Sequence, residues 1–345
     1  MKYGAIDVHS KESHIRIVTA TGACVEERRV PTRPDRLVAV FGAYDPMRIL
    51  IESGTESEWV AECLEALGHA VVVADPNYAP MYGTRRRRIK TNHRDVVALA
   101  DANRTGTYRC AHRVSPAQRT VRLQLAVRDQ LVRMRTQLIN LLRSQVRAAG
   151  WRVRAGAAET FVRRLADVEL PAPVRAALRP LTELLTQLAG PIRESDAWAR
   201  QAAVADPIGA RLMSAPGVGP ITALTYRATL DQIARFSEAG QVTAYLGLVP
   251  REYSSGEHQH RGSITKAGPG RLRALLIQGS WHIWRTARGP SLPLHRWVHR
   301  VASRRGRRIA LVALARRLAR CLYAMWRDGR DFDATKIRSV VPAAA

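Results

Sequence analysis

The apolar pattern divides the N-terminal third of the chain into short strands and helices. Alternating apolar residues predict three strands in an antiparallel meander, over 3–8, 14–20 and 24–30. Continuous apolar runs, which are typical of strands buried on both faces, follow at 47–51 and 70–74. Helical spacing of apolar residues predicts helices over 34–43, 56–67 and 91–104. This region is therefore predicted to be an α/β domain.

The order of these elements is that of the ribonuclease H-like fold, in which the first strand is central and the fourth lies beside it. Asp7 ends the first predicted strand, Glu52 ends the fourth, and Asp95 lies on the helix predicted at 91–104. Such hard oxygen ligands suit Mg²⁺ or Mn²⁺, which polarise a phosphodiester. We therefore predict a metal site here. The alternative is that these acids only cap turns and helices.

The middle of the chain has a helical pattern. Ser115-Pro116 begins a long helix to about residue 149, and a second helical stretch runs over 174–199. The first carries a seam of heptad type at Val127, Leu131, Met134, Leu138, Leu141 and Gln145. We predict an antiparallel helical hairpin or a coiled coil that serves self-association. The predicted domains are 1–112, 113–200 and 201–335, with a tail at 336–345.

The C-terminal third combines a glycine turn, a polar segment and apolar helices. Gly217 and Gly219 lie in a turn that is typical of a helix-hairpin-helix module, whose backbone N–H groups bind a DNA phosphate. A plain packing hairpin is the alternative. A polar loop follows over 251–270, and apolar helices at 272–284 and 309–326 can form the core that supports the loop.

Charge indicates the partner class. Lys and Arg total 55 against 29 acids, a net charge of +26, which favours nucleic acid as the binding partner. The basic run at Arg85, Arg86, Arg87, Arg88 and Lys90 directly precedes Asp95, which favours a role facing phosphate over a merely solvated charge run.

Cysteine usage and hydropathy indicate the compartment. The four cysteines are scattered, so we expect reduced, mostly buried thiols and no zinc site. No uninterrupted apolar run approaches the roughly 20 residues that a membrane span needs. We expect a cytosolic protein.

The chain resembles the DEDD transposases of bacterial insertion sequences, which are bridge-RNA-guided serine recombinases. The resemblance covers almost the whole chain and is carried by GAIDVHS, ESGTESEW, KTNHRDVVALADANR, APGVGPITA and LGLVPREYSSGEHQHRGSITKAGPGRLR. It implies a RuvC-like N-terminal domain, a coiled coil and a mainly helical C-terminal transposase domain with a nucleophilic serine.

The resemblance also implies residue roles. Asp7, Glu52 and Asp95 match the first, second and fourth acids, and the third falls on Asn92. Because Asn92 offers a neutral oxygen, metal affinity should fall and the second ion is placed in doubt. Asp101, further along the same helix, is a possible substitute.

The nucleophilic serine falls on Ser254-Ser255-Gly256. We assign Ser255, because a flexible neighbour lets its oxygen stand clear of the chain, with Ser254 as the alternative. A serine hydroxyl needs activation, for which His258 and His260 are candidate proton carriers. Four nearby cations could clamp the phosphate, namely Arg251, Arg261, Lys266 and Arg271.

The implied function is cutting and rejoining of double-stranded DNA, with Ser255 forming a phosphoserine link while the acids hold Mg²⁺ near the same phosphate. A structured noncoding guide RNA would choose target and donor, and half-sites would combine across the subunits of a dimer or tetramer. The resemblance also implies a bacterial cytoplasmic protein associated with the nucleoid. Two other interpretations remain. A RuvC-like structure-selective nuclease, such as a junction resolvase, would use water instead of Ser255. A non-enzymatic nucleic-acid-binding protein with a decayed site would be consistent with Asn92.

Overall fold

The computed structural model describes residues 1–82, 92–255 and 258–337, without the side chains of residues 92, 253–255 and 258–261. The chain forms two compact units, residues 1–114 and residues 115–345. The finer division of the second unit near residues 200 and 335 stays a prediction. No helix of the described residues is long and apolar enough to cross a membrane.

The N-terminal unit is built on a five-stranded sheet. Its strands, β1 to β5, are Lys2–Val8, Glu12–Thr19, Cys24–Pro31, Arg48–Glu52 and Ala70–Ala74. Their order across the sheet is β3-β2-β1-β4-β5. The first three strands pair antiparallel, whereas β4 lies parallel to both β1 and β5. The predicted topology, with the first strand central and the fourth beside it, is confirmed.

Three helices cover the two faces of this sheet. They are α1, α2 and α3, over Pro34–Phe41, Ser57–Glu65 and Asn92–Thr105. One core contains Ile6 and Ile49 of the sheet with Phe41 and Leu64 of the first two helices. The other core contains the sheet residues Ala5 and Leu50 with residues of α3. Because side chains alternate across a strand, each face of the central strands is apolar, which explains their continuous apolar runs.

The second unit is mainly helical. Its helices, α4 to α13, are Pro116–Ala148, Phe161–Ala166, Ala172–Gln187, Ala189–Ala205, Pro207–Met213, Pro220–Leu230, Ala239–Tyr245, Gly270–Arg285, Leu292–Arg305 and Arg307–Asp328. Its largest core forms around α13, where Tyr323 is buried and donates a hydrogen bond of 2.8 Å to the carbonyl of Phe236. Tyr226 of α9 likewise donates to the carbonyl of Ala319 at 2.9 Å.

The long helix α4 packs within the unit through a face that differs from the predicted seam. Its buried apolar side chains are Leu125, Ile139, Leu142 and Val146, and it contacts α6, α7 and α9. Val127 and Leu141 of the predicted seam are exposed. The helix α4 therefore buries one face within its own unit, and a coiled coil is not confirmed.

The predicted helix over 174–199 is divided in two. Helix α6 ends at Gln187 and α7 begins at Ala189. Pro191 lies in the first turn of α7 and has no N–H to donate to the carbonyl of Gln187, four residues earlier. The apolar period continues across this position, so the pattern alone did not reveal the break.

The polar segment predicted as a loop contains an antiparallel strand pair, β6 and β7, over Pro250–Ser255 and His258–Ile264. Its strands lack an apolar alternation, so the sequence pattern did not indicate them. Helix α12 was also missed. The expectation of mostly buried thiols was wrong in part, because Cys24 and Cys110 are exposed, although all four cysteines are free as predicted.

Candidate active site

Asp7 lies at the end of β1, on the face that α3 covers. Ala5, two residues earlier, packs in the core beneath α3, whereas Ile6 packs in the core of the opposite face. Since strand side chains alternate, Asp7 shares the face of Ala5. Only 6% of Asp7 is exposed. The strand therefore delivers a nearly buried carboxylate to one edge of the sheet.

Glu52 is brought beside Asp7 by the parallel pairing of β1 with β4. It ends β4 two residues after Leu50, which packs beneath α3, so Glu52 lies on that same face. The hydroxyl of Tyr82 donates a hydrogen bond of 2.6 Å to Glu52 Oε2. The predicted meeting of the ends of the first and fourth strands is therefore present, and Tyr82 fixes the second carboxylate.

Asp95 completes the group from above the sheet. It lies in the first turn of α3 and is 4% exposed. The next residue, Val96, and Leu99 one turn later are buried in the core between α3 and the sheet. The amphipathic pattern of α3 thus directs Asp95 toward the strands that carry Asp7 and Glu52.

Asn103 anchors the other end of α3 to the same two strands. Its Nδ2 donates hydrogen bonds to the carbonyls of Gly4 on β1, at 2.7 Å, and Arg48 on β4, at 2.9 Å. The Nε of Arg48 donates in turn to Asn103 Oδ1 at 2.7 Å. The helix is therefore fixed to the strands whose opposite ends carry the acids.

The three carboxylates interact electrostatically. Burial raises the pKa of Asp7, and the charges of Asp95 and Glu52 raise it further, whereas His9, 3.3 Å from Asp7 Oδ2, opposes the shift. Asp7 Oδ2 is buried and has the Nε2 of His9 at 3.3 Å. A carboxylate oxygen held in this way, with two further acids beside it, is suited to a divalent cation.

The acids fit Mg²⁺ or Mn²⁺ chemically, but they are spread. Two oxygens on opposite sides of one Mg²⁺ are at most about 4.2 Å apart, given bonds of about 2.1 Å. The acids are not among the described groups of three residues whose donor atoms all lie within 4.8 Å of one another. One ion therefore cannot contact all three without movement, whereas a two-ion site spreads its ligands more widely.

Other predicted residues of this unit lie partly or wholly outside the described structure. Asn92 is the first residue of α3, and the structure describes its backbone only. Arg85, Arg86, Arg87, Arg88 and Lys90 lie outside the described residues. Their assigned roles in metal and phosphate binding stay predictions.

Ser255, the predicted nucleophile, is the last residue of β6. In the strand pair it lies opposite His258, and Ser254 lies opposite Gln259. Of Ser254, Ser255, His258, His260 and Arg261 only the backbone is described. The assignment of Ser255 stays a prediction.

The predicted phosphate-binding turn is also a packing turn. Gly217 has a φ of 73°, and a Cβ there would lie 2.5 Å from the carbonyl oxygen of Gly279 on α11. This close approach to the backbone of α11 is enough to require a glycine at position 217, whether or not a phosphate binds there. Gly219 caps α9 and has open space around its Cα, so it is the position of the two that can approach a ligand.

The predicted phosphate-clamping cations differ in their surroundings. Arg271 forms an ion pair with Asp129 of α4, which gives it a structural role. Arg251 and Lys266 are exposed. These two are therefore better placed than Arg271 to contact a phosphate.

Sequence reasoning missed residues that border the acids. His14 is the cross-strand partner of Asp7, and His9 lies within ion-pair distance of Asp7. The alternation of β2 would have revealed His14 only once the register of β1 against β2 was known. Tyr82 lies outside the predicted elements, so no periodicity pointed to it.

Comparisons with known proteins agree with the resemblance. The model of the transposase IS116/IS110/IS902 family matches residues 209–293, and a DEDD transposase model of the IS110 type matches residues 5–149. A probable family 20 transposase of Pseudomonas aeruginosa is 31% identical over 291 residues, or 83% of this chain and 85% of the relative.

Two further relatives carry names of insertion-sequence transposases. The transposase of element IS1111A from Coxiella burnetii is 31% identical to this chain, and the match covers 68% of this chain and 66% of the relative. The transposase of element IS1328 from Yersinia enterocolitica is 27% identical, and the match covers 95% of this chain and 97% of the relative.

Among solved structures, T. thermophilus RuvC in complex with Holliday junction substrate is similar to part of this chain. The match covers 32% of this chain and 99% of the RuvC chain, with 13% sequence identity and a TM-score of 0.25.

The sheet topology and its gathered carboxylates define the N-terminal unit as a ribonuclease H-like α/β domain. The chain belongs to the IS116/IS110/IS902 family of DEDD insertion-sequence transposases, enzymes that cut and join DNA. The predicted family membership is thereby confirmed.

Proposed function

We propose that this transposase cuts and rejoins DNA through a serine nucleophile, assisted by a metal site on the N-terminal sheet. The observation that carries the metal site in this proposal is the convergence of Asp7, Glu52 and Asp95 at one edge of the sheet. Three acids from two strands and a helix, two of them nearly buried, are costly to hold together unless a cation offsets their charge.

Asp7, Glu52 and Asp95 would hold Mg²⁺ or Mn²⁺, and the amide oxygen of Asn92 would add a neutral ligand. When bound, the ion would polarise a phosphodiester and stabilise its attacking and leaving oxygens. Tyr82 keeps Glu52 oriented through its hydrogen bond. Asn103 holds α3, and with it Asp95, over the sheet.

Ser255 would supply the nucleophile. Its Oγ forms a bond to phosphorus, the P–O bond to the departing strand breaks, and the serine proton is transferred to a base while the leaving oxygen is protonated. Arg251 and Lys266 would offset the charge that develops on the phosphate. The position of Ser255 at the end of β6, followed in sequence by Gly256, is suited to presenting a hydroxyl.

We further propose that base pairing to a structured guide RNA chooses the target and donor DNA in the bacterial cytoplasm. The net charge of +26 supports binding of two polyanions. For self-association as a dimer or tetramer, the support is the set of exposed apolar residues on α4, which are Leu123, Val127 and Leu141.

Cutting of DNA that carries the ends of the element tests the role of the acids. Asp95→Asn should lower the Mg²⁺-dependent rate at least about 100-fold, because the charge stabilisation that a metal supplies is worth several kcal/mol. Asp35→Asn is the matched control, since Asp35 lies on α1, which covers the opposite face of the sheet, and pairs with Arg33 at 3.0 Å. Equal rates for the two variants would refute the metal site.

A structure-selective nuclease that uses water is the alternative function, because it needs the same three acids. Ser255→Ala separates the two functions. Retained metal-dependent cutting in that variant would favour the nuclease, whereas lost cutting in a folded variant supports the serine mechanism.

A further inference from the structure

A second cluster of metal-binding side chains lies on the same face of the N-terminal sheet. We name it the histidine cluster, and it consists of His14 on β2, Glu27 on β3 and His93 on α3. One ligand atom from each residue lies within 4.8 Å of the other two. His14 Nε2 is 3.1 Å from Glu27 Oε1, and His93 Nδ1 contacts that same oxygen.

Strand register and helix placement bring the cluster together. His14 lies directly opposite Asp7 in the pairing of β1 with β2, so it is on the face that α3 covers. Arg16, two residues along β2 and on that same face, lies opposite Glu27. His93 lies in the first turn of α3, above these strands. The three residues therefore come from elements whose positions the fold fixes.

The donor set differs in kind from the acids nearby. Two imidazoles and one carboxylate select first-row transition metals such as Zn²⁺, Mn²⁺ or Co²⁺. The neighbouring acids offer only oxygen, which Mg²⁺ prefers. The two sets of donor atoms at this edge of the sheet therefore suit chemically different ions.

The spacing of the donor atoms suits one ion. Two ligands of a tetrahedral ion, each bound at about 2.1 Å, are about 3.4 Å apart. The separation of 3.1 Å between His14 Nε2 and Glu27 Oε1 is close to that value, whereas His93 Nδ1 lies closer to Oε1 and would have to move outward to admit an ion. Three protein ligands leave a fourth position open for water.

The surroundings prepare Glu27 as a ligand. Burial acts to raise the pKa of Glu27, but the hydrogen bonds and charges of His93 and Arg16 outweigh burial and hold the pKa below its usual value. Arg16 contacts Oε2, which leaves Oε1 directed at the two imidazoles. Such an outer partner orients a carboxylate ligand.

We propose that His14, Glu27 and His93 bind one divalent transition-metal ion, of which Zn²⁺ is the best match. The ion would join the first turn of α3 to β2 and β3. Because Asp95 lies in that same turn, the ion would fix the position of Asp95 relative to Asp7. His93 is thus assigned as a metal ligand and a positioning residue, separate from the acids that would hold Mg²⁺.

Titration of the metal-free full chain with Co²⁺ tests this site, because cobalt bound by nitrogen ligands absorbs visible light. His93→Ala removes a ligand whose side chain is 57% exposed, so the fold should survive. His282→Ala is the matched control, since it removes an exposed histidine from the helical unit. Asp7→Asn is a second control, because it alters the acids and leaves the histidine cluster intact.

In excess Mg²⁺, which would occupy the acids, the wild-type chain should bind one equivalent of Co²⁺, with visible absorbance and a raised melting temperature that Zn²⁺ reproduces. His93→Ala should weaken binding by at least about 10- to 100-fold, the loss typical even for removal of an outer partner. Both controls should bind as the wild type does. Unchanged binding in His93→Ala, loss of binding in Asp7→Asn, or no absorbance in the wild type would overturn the assignment. Since the readout needs no DNA, it is independent of the proposed serine chemistry.

Discussion

Asp7 combines a proposed metal-binding role with a cost in stability. Burial and two neighbouring acids raise its pKa, so the folded state holds the Asp7 proton more tightly than the unfolded state. Stability from this group is therefore present at low pH and lost as the pH rises through the raised pKa. A bound cation would reverse that loss at neutral pH.

Asp7→Asn should therefore raise the melting temperature at neutral pH in a chelator, and this gain over wild type should shrink as the pH is lowered. Added Mg²⁺ should stabilise wild type and leave the variant unchanged. Thermal melts at several pH values, with and without Mg²⁺, measure both effects. Asp35→Asn serves as the control, because Asp35 is an exposed acid on α1 that pairs with Arg33. A lower melting temperature for Asp7→Asn in chelator would contradict this description of the site.

Asn103 is a second residue whose removal should be informative. Asn103→Ala removes the hydrogen bonds to two strand carbonyls and the one from the Nε of Arg48, so we expect a loss of about 1–3 kcal/mol in the free energy of unfolding. Urea unfolding of the full chain measures it. A loss near zero would mean that α3 is held by its apolar contacts alone.

At the scale of elements, the sequence predicted most of what positions the acids. The order of strands and helices sufficed to bring Asp7 beside Glu52, because parallel neighbours end at the same edge. Cross-strand register was not predictable, since it depends on turns and tertiary packing. The pairing of Asp7 with His14, and with it the histidine cluster, therefore came only from the structure.

The polar strands β6 and β7 and the face of α4 were missed for related reasons. A strand pair that contains almost no apolar residue has no alternation to detect. Leucines occur on several sides of α4, so a heptad seam and an internal packing face can both be traced along it. Only the positions of α6, α7 and α9 decide which face is buried.

The assignment of the buried face of α4 can be tested by substituting two adjacent leucines. Leu142→Ala removes a fully buried side chain and should cost about 2–5 kcal/mol of stability. Leu141→Ala, whose leucine is 43% exposed, should cost little stability and instead lower the oligomer mass if α4 associates through that side. Chemical unfolding and light scattering measure the two effects. Equal destabilisation by both substitutions would contradict the observed packing.

At the scale of the whole molecule, the excess of positive charge should dominate affinity for nucleic acid. If the protein contacts 6–10 phosphates, raising salt from about 50 to about 200 mM should weaken DNA binding by roughly 10³- to 10⁵-fold. Arg251→Gln should reduce the salt slope by about one, as loss of one phosphate contact does. Arg271→Gln is the matched control, since Asp129 pairs with Arg271. Equal slopes for wild type and Arg251→Gln would remove Arg251 from the interface.

The central claim, that a serine of this transposase attacks DNA, is tested most directly by a search for a covalent protein–DNA adduct. The protein is expressed in cells that carry its flanking DNA, and the cells are lysed in denaturant. The lysate is then examined for protein of raised mass, and nuclease treatment should return that mass to its normal value. We expect the adduct in wild type and in Ser254→Ala, and its loss in Ser255→Ala. An adduct that persists in Ser255→Ala, or metal-dependent cutting without any adduct in wild type, would contradict the assignment of Ser255.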